Sequence, residues 1–402
     1  MRIGIDGRFL LEKNLTGVGE YATKMLESWA KFFVNEEVLV FLNSFKRIDE
    51  EKLAFLKKFS NVRICYWRFP NKLLNLLFYF LAWPKLDKLL GGVDLLFLPN
   101  INFAPVSFGC RTILAVHDLS FERHPETFSF KRRLWHFLVN PRRLAMRADE
   151  LWAVSLSTAE DLQCLYGIKK TKIKIIYSPF DFYFFASWKK DKDWEIRKEK
   201  LRKKYSLPDK FILSLSTLEP RKNLVSLIEA FELFLDTART VEERKICLVL
   251  AGGKGWLWKD IDQVIKKSRW QKQIFLIGFV EKEEKSALYR LAEVFVYPSI
   301  FEGFGYPPVE AMASGAPVIV SNNSSLGEVV NSAGILIDPF RPFEIYLALR
   351  EFLADKELKK IYSQKGVARA QKLFEESRKQ LKEAFFSIEK QLKNDIRNNL
   401  IH

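Results

Sequence analysis

The chain is poor in cysteine, in long apolar runs and in acid. Its four cysteines, Cys65, Cys110, Cys164 and Cys247, stand far apart, with no Cys-x-x-Cys pair and no His nearby at metal-ligand spacing. That pattern argues against a zinc site and against a disulfide framework, and a reducing cytosol is the expected setting. The longest apolar run, Leu73 to Trp83, has 11 residues and is interrupted by Asn75. About 20 residues are needed to span a bilayer, so no crossing is expected. The opening Met1-Arg2-Ile3-Gly4-Ile5-Asp6 reads as an apolar strand and not as a signal peptide, so export is not indicated. Acid is outnumbered, with 65 Lys+Arg against 49 Asp+Glu and a net charge of +16. An excess of that size predicts an anionic partner: nucleic acid, a phosphorylated ligand or a membrane surface.

What is present is a long globular chain. Its 402 residues are 48% hydrophobic with 35 Phe, 10 Trp and 12 Tyr, which excludes disorder and points to two domains with large cores. Short apolar runs alternate with helical patterns, the signature of βα units around a parallel sheet. In the first half the runs predict strands at 2–6, 38–42, 62–66, 95–98, 111–116, 150–154 and 173–176. In the second half they predict strands at 211–216, 246–251, 274–278, 294–297 and 317–321. Thr16-Gly17-Val18-Gly19 opens a helix to about Phe33, and Ser157 with Glu160 suggests a capping box. Residues 186–206 are densely charged and lack an apolar strand, which predicts a linker with a surface helix. The expected division is a domain at 1–185, the linker at 186–206 and a domain at 207–375. A closing helix at 376–402, with Leu381, Ala384, Phe385, Ile388 and Leu392 at helical spacing, is expected to pack back on the first domain.

The stretch from Ser299 to Ile319 carries the most chemistry. It follows a predicted strand, contains Glu302-Gly303-Phe304-Gly305, opens a helix with Pro307 and Pro308, and stops that helix at Gly315. Backbone N–H groups and the positive end of the helix dipole favour phosphate there, while Glu302 and Glu310 offer carboxylates to sugar hydroxyls. Phosphate beside a polyol describes a nucleotide sugar. Arg221 and Lys222 follow the strand at 211–216 at its carboxyl end, where open α/β sheets place ligands, and can neutralise a diphosphate leaving group. Gly17 and Gly19 precede a helix and can bring backbone N–H groups to a phosphate. The segment is no G-x-G-x-x-G fingerprint, because the first strand ends at Asp6 and the loop is long. His117 ends an apolar strand beside Asp118, whose carboxylate can orient or polarise it.

Taken in order, these segments resemble the retaining GT4 glycosyltransferases of GT-B fold, over nearly the whole chain. Glu302 to Glu310 resembles the family's E-x7-E motif. Thr16-Gly17-Val18-Gly19 resembles its glycine loop, Val116-His117-Asp118-Leu119-Ser120-Phe121 its His-Asp segment, Leu218-Glu219-Pro220-Arg221-Lys222-Asn223 its basic loop, and Ala251-Gly252-Gly253-Lys254-Gly255-Trp256 its strand-ending turn. Thr217 stands near the place where some members carry a further Arg. The resemblance implies an α/β chain with two Rossmann-like doubly wound domains and an interdomain cleft. It implies His117 near the reacting carbon of the donor sugar, Glu302, Arg221 and Lys222 in the catalytic set, and Gly17, Asp118, Gly303, Phe304, Gly305 and Glu310 as substrate contacts. Val280 is a candidate for backbone contact with the base. It also implies a front-face displacement with retention, without cofactor or required metal; no Asp-x-Asp triad stands in a suitable loop.

The expected reaction moves a hexose, with mannose from GDP-mannose first, onto a glycan or lipid-linked acceptor in surface polysaccharide synthesis. A UDP-sugar donor and a nucleotide-sugar epimerase on the same fold are the alternatives. A nucleic-acid-binding protein is disfavoured, since no RNP, KH, zinc-finger or helix-turn-helix signature is found. Residues 52–147 hold 16 Lys+Arg against five Asp+Glu, interleaved with Trp67, Phe69, Phe78, Phe80 and Trp83. That mixture suits an anionic lipid interface, so the protein is expected in the cytoplasm, peripheral on the inner face of the membrane.

Overall fold

A computed structural model of the chain describes residues 1–11, 17–45, 50–190 and 193–401. Thr16 of the glycine loop and Asp191 and Lys192 of the expected linker lie outside the described residues. The chain forms two compact units: Met1–Leu119, Phe130–Phe180 and Glu376–His402 make the first, and Ser120–Ser129 with Asp181–Glu375 make the second.

The first unit is a seven-stranded parallel sheet of β1 (Arg2–Asp6), β2 (Glu37–Asn43), β3 (Val62–Trp67), β4 (Leu95–Leu98), β5 (Arg111–Val116), β6 (Glu150–Ala153) and β7 (Ile173–Ile175), in the order β3-β2-β1-β4-β5-β6-β7. The reversal of direction at β1 is the doubly wound pattern. Inner strands such as Leu95-Leu96-Phe97-Leu98 are buried throughout, because helices cover both faces of a parallel sheet. Trp29 of the helix Gly17–Phe32 stacks on Trp152 at 5.8 Å and meets Phe97 at 5.5 Å. Phe385 of the closing helix joins the same cluster, 4.7 Å from Trp29. Ser377 donates to the carbonyl of Tyr177 at 2.7 Å, and Gln380 accepts from its N–H at 2.9 Å, which pins this helix along the last strand.

The second unit is a six-stranded parallel sheet of β8 (Phe211–Leu215), β9 (Cys247–Ala251), β10 (Ile274–Gly278), β11 (Val294–Tyr297), β12 (Val318–Ser321) and β13 (Ile335–Ile337), in the order β10-β9-β8-β11-β12-β13. Phe231, Phe234, Leu248, Val296 and Phe352 lie in its core.

Several local expectations are corrected. Ser157 is not the N-cap of its helix. The helix runs Leu156–Tyr166, and Ser155, extended directly after β6, accepts the Thr158 N–H at 3.1 Å. The C-terminal helix is continuous over Lys356–Ile401, about 20 residues longer than the 376–402 expected. Strand β13 was not foreseen. Ser120–Ser129 groups with the second unit because the Trp256 indole N–H donates to the Thr127 carbonyl at 2.7 Å and stacks on Phe128 at 5.7 Å. The charged segment holds the helix Trp194–Tyr205, which also belongs to the second unit.

Candidate active site

The carboxyl ends of β8 and β11 build the site in the second unit. After β8 the chain turns through Pro220–Lys222 and reaches Asn223, whose left-handed φ of 53° redirects it into the helix Leu224–Asp236. After β11 it passes through Ser299–Gly305 and enters the helix Tyr306–Ala313. Gly305 sits at φ 92°, and a Cβ there would lie 2.6 Å from Leu326 Cδ2, so glycine is required at this entry. The two loops are laced together: the Ile300 N–H donates to the Arg221 carbonyl at 2.8 Å, and Arg221 donates to the Phe301 carbonyl at 2.5 Å.

Glu302 is buried at their junction. Its Oε1 accepts from Lys222 Nζ, from Ser299 Oγ at 2.6 Å and from the Tyr297 hydroxyl at 3.0 Å, while Oε2 pairs with Arg221 at 3.1 Å. Its main chain is held too, since the N–H donates to Ser324 Oγ and the carbonyl accepts from Ser325 Oγ, both at 2.9 Å. Burial alone would raise the Glu302 carboxyl, but the charges of Arg221 and Lys222 and the hydrogen bonds from Lys222 and Ser299 outweigh it and hold the group at about 2. Lys222 Nζ also donates to the Tyr297 hydroxyl at 3.0 Å. Glu219 completes the cluster by accepting from Arg221 at 3.1 Å. Its burial pushes its carboxyl above the usual range, against the pull of Arg221 and Lys222. Tyr297, fully enclosed beside Glu302, is pushed well above the usual tyrosine range by burial and by that carboxylate.

Arg221, Lys222 and Glu302 are therefore brought together. Gly303, Phe304 and Gly305 are buried directly after Glu302. Glu310 is engaged elsewhere: it is buried in the helix Tyr306–Ala313, accepts from the Tyr289 hydroxyl at 2.8 Å, and has Lys285 Nζ at 3.4 Å. Val280 is buried just beyond the Gly278 turn. The turn after β9 is close-packed. Gly252 lies at φ 135°, with its missing Cβ only 1.8 Å from the Ser216 carbonyl oxygen, and the Leu218 N–H donates to the Gly253 carbonyl at 2.9 Å.

His117, Asp118 and Gly17 belong to the first unit. His117 Nε2 lies 2.9 Å from the Pro99 carbonyl, which places the proton on Nε2 and leaves Nδ1 as an acceptor on the neutral ring. Burial lowers its pKa below the ordinary value, against the Pro99 hydrogen bond and the Asp118 charge, and Tyr21 packs edge-on at 4.6 Å. Asp118 is half-buried beside it, and Gly17 is exposed at the first turn of its helix. Sequence reasoning missed Tyr297, Ser299, Tyr289 and Lys285. The first two stand at the end of a buried strand immediately before the glycine-rich loop, a place with no spacing of its own in the sequence.

Two doubly wound parallel units in one chain are an architecture that solved glycosyltransferases share. The Anabaena protein HepE, solved with UDP-glucose, matches with a TM-score of 0.71 at 19% identity over 96% of this chain and 99% of that one. WaaG, a glycosyltransferase involved in lipopolysaccharide biosynthesis, matches with a TM-score of 0.70 at 14% identity over 95% of this chain and 98% of that one. At such identities the likeness shows the GT-B fold. Residues 15–182 match the model for Glycosyltransferase Family 4, and residues 197–369 match the model for Glycosyl transferases group 1. Together the two matches span most of the chain, which belongs to this glycosyltransferase family.

Among curated relatives, the serotype-specific mannosyltransferase WbdA of Escherichia coli is 30% identical over 247 residues, which is 61% of this chain and 29% of that protein. The O-antigen chain mannosyltransferase B of Escherichia coli is 36% identical over 160 residues, 40% of this chain and 41% of that one. The chain thus spans well under half the length of either relative. Among the described residues no helix is long and apolar enough to cross a membrane.

Proposed function

We propose that the chain is a retaining hexosyltransferase that moves mannose from GDP-mannose to a glycan or lipid-linked acceptor in surface polysaccharide synthesis. The observation that carries this reading is the buried Glu302 carboxylate fixed by Lys222, Arg221, Ser299 and Tyr297 at the carboxyl edge of the sheet. Arg221 and Lys222 take the charge that develops on the leaving diphosphate, a role that asks for no metal ion. Glu302 accepts from donor-sugar hydroxyls. Gly303 to Gly305 and the helix behind them face the donor, and Glu310 supports that helix. In the first unit neutral His117 offers Nδ1 to the sugar, Asp118 orients it, and Gly17 brings backbone N–H to the phosphates.

The mannosyl donor is supported by the names of WbdA and mannosyltransferase B. A UDP-sugar is the second reading, favoured by the UDP-glucose bound in HepE. An epimerase would isomerise the donor without extending an acceptor. The acceptor side is assigned to the first unit, whose basic residues between 52 and 147 suit an anionic membrane surface on the cytoplasmic side. A screen of GDP- and UDP-sugars for transfer and hydrolysis tests the reading. Turnover of GDP-mannose, retained in the presence of EDTA and reduced at least 100-fold in Lys222→Ala, is expected. Near-normal turnover by Lys222→Ala removes that residue from the mechanism, and an isomerised free donor overturns transfer.

A further inference from the structure

The helix Asn71–Phe80 is apolar on two sides. Leu74 and Phe78 are buried in the first unit, while Leu73, Leu76 and Phe80 stand exposed, Phe80 by 73%. Their i, i+3, i+7 spacing puts these three in one stripe, and Trp83 stands 60% exposed just beyond the helix. The helix Phe130–Val139 repeats the device. Phe130, Leu134 and Phe137, spaced i, i+4, i+7, are exposed, the two phenylalanines by 77% and 78%. At 100° per residue, Lys131 and Arg133 fall on either side of that stripe.

The two helices are connected by rings: Tyr79 meets Phe103 edge-on at 6.3 Å, and Phe103 meets Trp135 at 6.4 Å. Within their own stretches of sequence the charge is of one sign. Residues 52–86 hold seven Lys and Arg with no Asp or Glu, and residues 130–148 hold six with none. Exposed apolar stripes lose about 25 cal/mol for each Å² left in water. A nucleic acid would engage the cations but would leave the Leu and Phe stripes uncovered. A bilayer with anionic headgroups satisfies both.

We propose that the helices Asn71–Phe80 and Phe130–Val139, with the following Arg142 and Arg143, form one docking face for an anionic lipid surface. The two stripes enter the boundary between headgroups and acyl chains, and the Lys and Arg side chains meet headgroup phosphates. The proposal rests on the reading of a lipid-linked acceptor and names the elements that bring the enzyme to it.

Flotation of the full chain with vesicles tests this, using phosphatidylcholine alone and phosphatidylcholine with 30% phosphatidylglycerol at low and physiological salt. The chain is expected to float with the anionic vesicles only. The pairs Leu76→Ser with Phe80→Ser, and Phe130→Ser with Phe137→Ser, should each weaken binding at least tenfold. Arg142→Gln and Arg143→Gln should weaken it about fivefold each and blunt its salt dependence. All four variants should keep wild-type turnover of nucleotide sugar with a water-soluble acceptor. Equal flotation of variants and wild type, equal binding to neutral vesicles, or displacement from vesicles by a single- or double-stranded oligonucleotide overturns the docking face. A chain that floats as described but turns over no nucleotide sugar overturns the catalytic reading instead.

Discussion

Replacing Glu302 by Gln keeps the size of the side chain and removes the charge on which the site is built. The Glu302 carboxyl stands at about 2 against an ordinary 4.5. At about 1.4 kcal/mol per pKa unit, that separation amounts to about 3 kcal/mol of stabilisation of the folded second unit at neutral pH. Removing one partner from a buried ion pair costs a similar amount, about 3–5 kcal/mol. The folded value is depressed, so the stabilisation is complete above the unfolded value and is lost as the pH falls through 4.5 towards 2. Glu302→Gln lacks this titration. The stability gap between wild type and variant should be about 3 kcal/mol at pH 7 and little over about 1 kcal/mol at pH 3. Urea titrations across that range, followed by tryptophan fluorescence, measure it; Trp256, Trp258 and Trp270 report on the second unit. A gap that stays constant from neutral to acid pH refutes the reasoning, as does a variant as stable as wild type at pH 7.

Tyr297→Phe removes a hydroxyl that accepts from Lys222 and donates to Glu302, both at 3.0 Å. Turnover should fall about tenfold or more, with donor KM nearly unchanged, and steady-state kinetics showing an unaltered kcat would sink this positioning role. Gly252→Ala forces a Cβ into the Ser216 carbonyl at a φ of 135°; a loss of about 3 kcal/mol is expected, seen as a drop in Tm of roughly 6–12 °C, and an unchanged melt argues against it. Phe385→Ala empties a site among Trp29, Phe32, Phe33 and Trp152. The expected cost is about 3–5 kcal/mol by chemical denaturation, and a loss under about 1 kcal/mol would mean that the closing helix adds little to the first unit's core.

The inner strands were legible as continuous apolar runs because both faces of each sheet are covered there, whereas the edge strands β3 and β10 keep exposed positions. Ile335–Ile337 is too short for that signal, and its pairing with β12 is what makes it a strand. Ser157 was mistaken for a cap because Glu160 follows at capping-box spacing, whereas the chain leaves β6 so abruptly that Ser155 is already in place. Ser120–Ser129 carries no local mark of its allegiance, which is decided by the ring and indole N–H of Trp256, far along the chain. In the site, the nearness of Glu302, Arg221 and Lys222 was legible from position, since Glu302 precedes the turn at Gly303–Gly305 and the two cations follow the strand at 211–216 at its carboxyl end. Tyr297 and Ser299 were not, since a hydroxyl at the end of a buried strand has no period or spacing to distinguish it. The partners of Glu310 come from the helix Lys282–Leu291, a juxtaposition that exists only after folding.

The net charge of +16 and the two cations of the site obey different physics. Lys222 is buried and Arg221 nearly so, and two cations taken out of water without partners would cost several kcal/mol each. The chain offsets this by burying Glu219 and Glu302 against them, so the cluster is formally neutral when both acids are ionised. What the cluster offers an anionic group is directed donors held in fixed positions, and not an excess of positive potential. The excess resides on solvated side chains of the first unit, in stretches where no acid interrupts it, and there it acts over a Debye length on whatever surface approaches. Composition alone therefore reported on the exposed face, and the two buried cations became visible only through their place at the end of a strand.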